Sequence, residues 1–198
     1  MAANTYLPPE ERTALESARV GIAGAGGLGS NCAMHLVRAG VKHITIADFD
    51  VVNESNLNRQ FFFRDQIGQK KVEAIKENLL RIEPDADIRA VDMRLDASSA
   101  REIFADCGIV VEAFDAVDAK VMLVSAFASS GKKLVTASGL AGWGRSNAMK
   151  VRKMGNIVAI GDGETSVGDG AAPVSPRVGI AAAMEANAVV SLLLGCEP

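Results

Sequence analysis

Short apolar runs and amphipathic stretches alternate along the first two thirds of this chain. The pattern predicts strands over 19–24, 43–48, 87–92, 109–114 and 132–137. Helices over 27–39, 68–82, 98–105 and 117–130 lie between them, with short helical turns near 55–63. Strands alternating with helices imply a parallel sheet covered on both faces. Beyond Trp143 the period changes. Residues 147–153 and 157–160 flank Met154-Gly155-Asn156 and read as a hairpin, so the far sheet edge is expected to be antiparallel. Val178 to Leu194 is apolar except for Glu185 and Asn187. It is shorter than the roughly 20 residues that span a bilayer and reads as a buried C-terminal helix led by Pro176. The expected fold is α/β, a Rossmann-like three-layer arrangement with a mainly parallel sheet and an antiparallel edge. It forms one domain over 1–198, with an N-terminal extension at 1–17 and a flexible glycine-rich loop at 161–173.

Composition narrows the function classes. The chain has 198 residues, 48% of them hydrophobic, enough for one sizeable core. A net charge of −3 leaves no basic footprint, so nucleic acid is not an expected partner. Met1 to Ser17 is polar and carries Pro8-Pro9, so neither a signal segment nor a membrane span is expected. The three cysteines, Cys32, Cys107 and Cys196, are isolated from one another. That suits a reducing cytoplasm and provides no paired-cysteine zinc site.

The candidate chemistry begins at Gly24-Ala25-Gly26-Gly27-Leu28-Gly29, between the first strand and first helix. A G-x-G-x-x-G turn there opens a nucleotide-binding unit. The first glycine allows the tight turn, the second lets a phosphate approach the backbone, and the third lets helix and strand meet closely. The helix N-terminus then favours an anion. A glycine-rich turn with no ligand is the competing reading. Asp48 ends the second strand 24 residues after Gly24, near the spacing of a ribose-binding carboxylate. A dinucleotide site would continue into an ordinary loop. Here Asp50, Asn56, Arg59, Gln60 and Lys71 crowd the following segment instead. An arginine fork can grip a triphosphate in bidentate fashion and a lysine adds a point charge, although any one of these residues alone could be solvated loop charge.

Taken together, GAGGLGS, DFD, SNLNRQF and GQKK, with Asp115 after the strand at 109–114, resemble the adenylation domain of the ThiF/MoeB/HesA superfamily. The resemblance runs from about Ala18 to Leu194. It is strongest to short, zinc-free ThiF-like proteins of thiamine biosynthesis, in size and in the stretch Ala137 to Gly144. It implies an ATP-dependent enzyme that adenylates the C-terminal glycine of a ubiquitin-like sulfur-carrier protein ending in Gly-Gly. By motif, Asp48 resembles the ribose acid, and Asn56, Arg59 and Gln60 the nucleotide-contacting segment. Lys71, rather than Lys70, matches the family lysine, and Asp115 the acid associated with Mg²⁺. Arg59, Lys71 and Asp115 are thereby the implied catalytic residues. A homodimer is also implied. The chain departs from the family at Ala116 and Lys120, where Asn and Arg are frequent, and in lacking cysteine pairs.

A carboxylate attacking the α-phosphate of ATP needs positioning and cationic stabilisation rather than a general base, because it is already ionised near neutral pH. The glycine-rich segments Gly139 to Gly144 and Gly161 to Gly170 are expected walls for an extended carrier tail. No cysteine lies between Gly155 and Pro176, so no obligatory covalent intermediate is expected there. Two other functions fit the same opening motif: an NAD(P)-dependent oxidoreductase, and a non-catalytic nucleotide-binding protein. His35, His43, Cys107 and Cys196 read as structural or incidental.

Overall fold

The computed structural model describes residues 6–166 and 170–198. Residues 167–169 of the expected flexible loop, and the first five of the N-terminal extension, lie outside the described residues. The chain builds one seven-stranded sheet flanked by helices. In chain order the elements are α1 (Pro9–Ser17), β1 (Arg19–Ala23), α2 (Gly27–Ala39), β2 (His43–Asp48), α3 (Lys71–Ile82) and β3 (Asp87–Asp92). Next come α4 (Ala97–Ile103), β4 (Ile109–Glu112), α5 (Val117–Phe127), β5 (Lys133–Ala137), β6 (Lys150–Met154), β7 (Ile157–Gly161) and α6 (Ser175–Leu193).

The strand order is β3-β2-β1-β4-β5-β7-β6. All neighbours are parallel except β6 and β7, which form the antiparallel hairpin edge expected from the sequence. The chain moves outward from β1 in one direction to β3 and in the other from β4 onward. The β1–β4 junction is therefore the topological switch point, where open α/β sheets bind ligands at the strand C-termini.

Two cores cover the two faces. Val20 and Ile22 of β1 point toward α2, α3 and α6, joining Leu36, Ile75, Leu79 and Val189. Ala23 of β1 faces α4 and α5 with Phe104, Leu123 and Phe127. Gly21 lies on that second face. A methyl there would meet Phe104 Cδ1 at 2.5 Å, so the ring fills the space a side chain would take. α3 buries Val72, Ile75 and Leu79, the i, i+3, i+7 stripe of an amphipathic helix. α4 is started by Asp96, whose carboxylate accepts the Ser98 and Ser99 N–H groups at 2.9 and 2.8 Å.

Several boundaries differ from the sequence expectation, each for a local reason. The N-terminal extension contains α1, which has Pro9 at its first turn, Glu10 and Glu11 beside its N-terminal dipole, and one buried anchor, Leu15. α3 starts at Lys71 rather than 68 because Gly68 and Gln69 bond back to Val52 instead. β4 stops at Glu112 because its carboxylate accepts the Phe114 N–H at 2.8 Å and turns the chain.

Candidate functional site

The glycine turn divides its work between residues. Gly24 has φ +102, and a methyl there would lie 2.8 Å from the Ala113 carbonyl oxygen. Both conformation and crowding require glycine. A methyl on Gly29 would overlap the Gly24 carbonyl oxygen, so α2 can approach β1 only without it. Gly26 is different. A methyl there would meet only Gln60 Nε2, at 3.9 Å, so space lies open in front of it. Gly26 is also the N-cap of α2 and no side chain caps the helix. The first N–H groups of α2 are thus left for a ligand or water.

Asp48 ties this turn to the second strand. One carboxylate oxygen accepts the Ala25 N–H at 2.7 Å and the other accepts the Asp50 N–H at 2.8 Å. The residue therefore shapes the glycine turn as well as standing where a ribose acid is expected. Leu28, also in the turn, is buried in the core.

The segment 55–61 is held against the turn by two residues that the sequence reading passed over. Ser30 Oγ donates to Gly26 O at 2.6 Å and accepts the Phe61 N–H at 3.0 Å. Asn31 Nδ2 donates to Gly27 O at 2.7 Å and Arg59 O at 2.9 Å. Their signal was the Ser-Asn pair closing the GxGGLG run. As a result the Arg59 stem passes 3.5 Å from where a Gly27 side chain would begin, and Gln60 is buried beside Gly26. The Arg59 guanidinium donates to Asn58 Oδ1 at 2.8 Å and Ser55 O at 3.3 Å. Gln60 Oε1 is buried with no partner among the described residues. Asn56 has a local duty, because its Oδ1 accepts the Asn53 N–H at 3.0 Å and closes the turn Glu54–Asn56.

The two adjacent lysines part company at the start of α3. Lys71 is buried and its Nζ lies 2.7 Å from Asp50 Oδ2, on the loop that Asp48 organises. Lys70 is exposed and pairs with Asp92 at the end of β3. Asp115 follows β4, two residues beyond the Ala113 whose carbonyl crowds Gly24. It is exposed and makes no hydrogen bond or ion pair among the described residues. One free carboxylate fits Mg²⁺, which takes one or two carboxylates together with phosphate oxygens.

A buried ionic knot lies at the end of β4. Glu112 is fully buried and accepts from Lys120 Nζ at 2.9 Å, Thr136 Oγ1 at 2.6 Å and the Phe114 N–H. Lys120 also donates to Ala137 O at 3.1 Å, joining α5 to the ends of β4 and β5. Glu185 of α6 is buried with both carboxyl oxygens unpartnered among the described residues. Burial, then the nearby Glu112 charge, pushes its pKa well above the usual carboxylate range, with Lys120 opposing. Burial and the neighbouring Glu185 likewise raise the Cys32 thiol, and burial and Asp106 raise Cys107 to about 11.

A second ionic centre holds the glycine-rich segments. Arg177 and Asp162 form a buried ion pair. Burial works against the Asp162 carboxylate, but the Thr165 and Glu164 N–H groups, the Thr165 hydroxyl and Arg177 outweigh it and hold its pKa below the usual range. An open hollow of about 340 Å³ adjoins Arg177, Trp143 and Thr165. Another, of about 320 Å³, lies at the opposite end of the sheet near Arg19 and His43, whose partners are Asp106 and Asp87.

The structure thus gathers the glycine turn, Asp48, Asp50, Arg59, Gln60 and Lys71 into one connected set at the strand C-termini. Asp115 stands on the adjoining loop. No helix among the described residues is long and apolar enough to cross a membrane. A Rossmann-like sheet with a glycine turn at its switch point is the architecture of nucleotide-binding α/β proteins. Within that class the chain belongs to the ThiF family, which matches residues 2–198.

Among its relatives is "Adenylyltransferase and sulfurtransferase UBA4" of Eremothecium gossypii, 38% identical over 127 residues, 64% of this chain and 29% of that one. The molybdopterin-synthase adenylyltransferase of Salmonella typhimurium is 39% identical over 115 residues, 58% of this chain and 46% of that one. The chain therefore spans less than half the length of these curated relatives. Escherichia coli tRNA N6-threonylcarbamoyladenosine dehydratase, in its complex with ATP, has the same fold at a TM-score of 0.83 and 22% identity, over 94% of this chain and 90% of that one.

Proposed function

We propose that this protein is an adenylyltransferase that activates the C-terminal glycine of a ubiquitin-like sulfur carrier, of the ThiS-like kind that serves thiamine biosynthesis. The observation that carries the reading is the open space at Gly26. It lies under an uncapped helix N-terminus, with Gln60 beside it, the Arg59 stem beside Gly27, and Lys71 paired with Asp50 on the loop that Asp48 ties to the turn. Relatives named as adenylyltransferases support the same activity. An NAD(P) dehydrogenase has no use for Arg59 and Lys71 in these places.

In the proposed reaction a carrier carboxylate oxygen attacks the α-phosphorus of ATP. A P–O bond forms to the carrier, the bond to the β-phosphate breaks, and pyrophosphate leaves with the electron pair. The acyl-adenylate then stays bound until sulfur arrives. The N–H groups of α2 hold phosphate oxygens, and Arg59 and Lys71 offset the charge that two approaching anions would otherwise oppose. Asp50 holds Lys71 in place until phosphate competes for it. Asp115 would hold Mg²⁺, which when bound neutralises further phosphate charge. Both buried thiols are protonated near neutral pH and take no part in this step. The protein is proposed to work as a cytoplasmic homodimer.

Isothermal titration with ATP·Mg²⁺ and with NAD tests the nucleotide half of the proposal. Saturable heat with ATP alone is expected. Tight NAD binding without ATP heat would overturn it.

A further inference from the structure

Residues 113–116 link β4 to α5 and carry Asp115. One side of this short loop is tied to the nucleotide turn. The Ala113 N–H donates to Ala23 O at 2.9 Å, continuing the β1–β4 ladder. Phe114 Cδ1 lies 3.4 Å from where a Gly24 side chain would begin. The other side is tied to a single carboxylate. Glu112 Oε1 accepts the Phe114 N–H at 2.8 Å, near the start of the loop. Both Glu112 oxygens accept from Lys120 Nζ, at 3.2 and 2.9 Å. Lys120 closes the first turn of α5, where its own N–H donates to Ala116 O at 3.1 Å, at the end of the loop. Glu112 Oε2 also accepts the Thr136 hydroxyl at 2.6 Å, which fixes the carboxylate to β5. The Glu112 side chain is 0% exposed, so water does not compete for these bonds.

Lys120 has no donor to spare. Its ammonium carries three N–H groups and meets three acceptors, the two Glu112 oxygens and Ala137 O at 3.1 Å. It cannot hold a phosphate without giving up the knot. Asp115 is the opposite case, exposed and without a hydrogen bond or ion pair of its own among the described residues. No bond of its side chain fixes its place. The backbone on either side does, and both sides lead to Glu112. We propose that Glu112 and Lys120 are positioning residues for Asp115, and that through the loop they set how tightly the nucleotide-bound protein holds a divalent cation. The inference rests on the adenylation reading, in which Asp115 holds the metal, and adds to it the groups that aim that carboxylate. A buried ion pair contributes little stability over apolar packing of the same volume, so stability alone does not account for this one.

The probe is Mn²⁺, a paramagnetic substitute for Mg²⁺. It is titrated into protein saturated with the non-hydrolysable analogue α,β-methylene-ATP, and free Mn²⁺ is read by electron paramagnetic resonance. Lys120→Met keeps the length of the side chain and removes its charge. It should weaken Mn²⁺ binding roughly tenfold, and Asp115→Asn at least as much. The double variant should bind within about twofold of Asp115→Asn alone, because a displaced loop then has no carboxylate to misplace. A merely structural Lys120 would instead multiply its effect onto that of Asp115→Asn. Lys120→Arg, which restores charge and donors, should return binding to within about threefold of wild type. In pyrophosphate exchange, Lys120→Met should raise the Mg²⁺ concentration for half-maximal rate by a similar factor and leave the KM for ATP at saturating Mg²⁺ within about twofold. If Lys120→Met does not fold, Thr136→Val, which removes one hydrogen bond to Glu112, carries the same cycle with an expected loss of roughly twofold to fivefold. Effects that multiply would overturn the positioning and leave adenylation standing. So would wild-type Mn²⁺ affinity in the folded Lys120→Met or Thr136→Val variant. Unaltered Mn²⁺ affinity in Asp115→Asn would overturn the metal role of Asp115 and the positioning with it. If wild-type protein also shows no carrier-dependent exchange, the adenylation reading falls as well.

Discussion

Replacing Gly26 by Ala separates folding from nucleotide binding more cleanly than any other change in the turn. Gly26 has φ −79 and ψ −151, an extended backbone without the positive φ that would demand glycine. The added methyl would touch only Gln60 Nε2, at 3.9 Å, an ordinary contact. Loss of glycine entropy in the unfolded chain favours the variant by about 0.4–1 kcal/mol, and the weaker N-cap preference of alanine offsets a similar amount. Stability should therefore stay within about 1 kcal/mol of wild type. Binding is another matter, because the methyl fills the space proposed for a phosphate. If two charge-assisted hydrogen bonds of about 1.5–2.5 kcal/mol each are lost, ATP affinity falls by about 3–5 kcal/mol, roughly two to four powers of ten. Thermal unfolding and isothermal titration on the same sample measure both terms. The reasoning fails if Gly26→Ala binds ATP like wild type, or if it unfolds at a much lower temperature. Gly29→Ala is the contrasting control. Its methyl would strike the Gly24 backbone, so it should damage the fold itself.

Other expectations follow from the same geometry. Arg59→Ala and Lys71→Ala should each abolish most pyrophosphate exchange in folded protein, whereas Lys70→Ala, which loses only an exposed pair with Asp92, should change it little; a crippling Lys70→Ala would shift the site by one residue. Glu185 has a folded pKa above its unfolded value, so its protonated form is fully accommodated below about pH 4.5 and the protein loses stability as pH rises from there toward the folded pKa. Glu185→Gln removes that slope of about 1.4 kcal/mol per pH unit, and chemical denaturation across pH 4–8 should show its advantage growing with pH; parallel pH profiles would contradict the assignment. Replacing Cys32, Cys107 and Cys196 together by Ala should leave exchange near wild type, and loss of exchange in a folded triple variant would require a thiol in the adenylation step. A light-scattering mass near 20.7 kDa at micromolar concentration would count against the proposed homodimer.

Where local pattern decides structure, the sequence was easy to read. The bounds of α2, β2 and β3 match the expectation, because Gly26 and Gly40 bracket α2 and the burial of β2 follows its apolar run. The parallel sheet with its antiparallel edge followed from the same alternation. The connected glycine turn, Asp48 and Lys71 were likewise legible as a motif. What stayed hidden depends on long-range pairing. Nothing local announces that Arg177 will reach back to Asp162 and Gly144, or that Lys120 will close on Glu112 and Ala137. Glycine-rich segments have no periodicity to read, so the ordered contact between 138–139 and 161–163 was invisible. Ser30 and Asn31 were passed over because their partners lie about 30 residues away in sequence, across the turn.

Carrier-dependent exchange of labelled pyrophosphate into ATP tests the central claim most directly. Purified protein with Mg²⁺, ATP and a ubiquitin-like carrier ending in Gly-Gly should catalyse exchange. Omission of the carrier, or removal of its last glycine, should reduce exchange to background. Exchange that ignores the carrier would contradict the account. So would its complete absence with thiamine-type and molybdopterin-type carriers in a folded, ATP-binding protein.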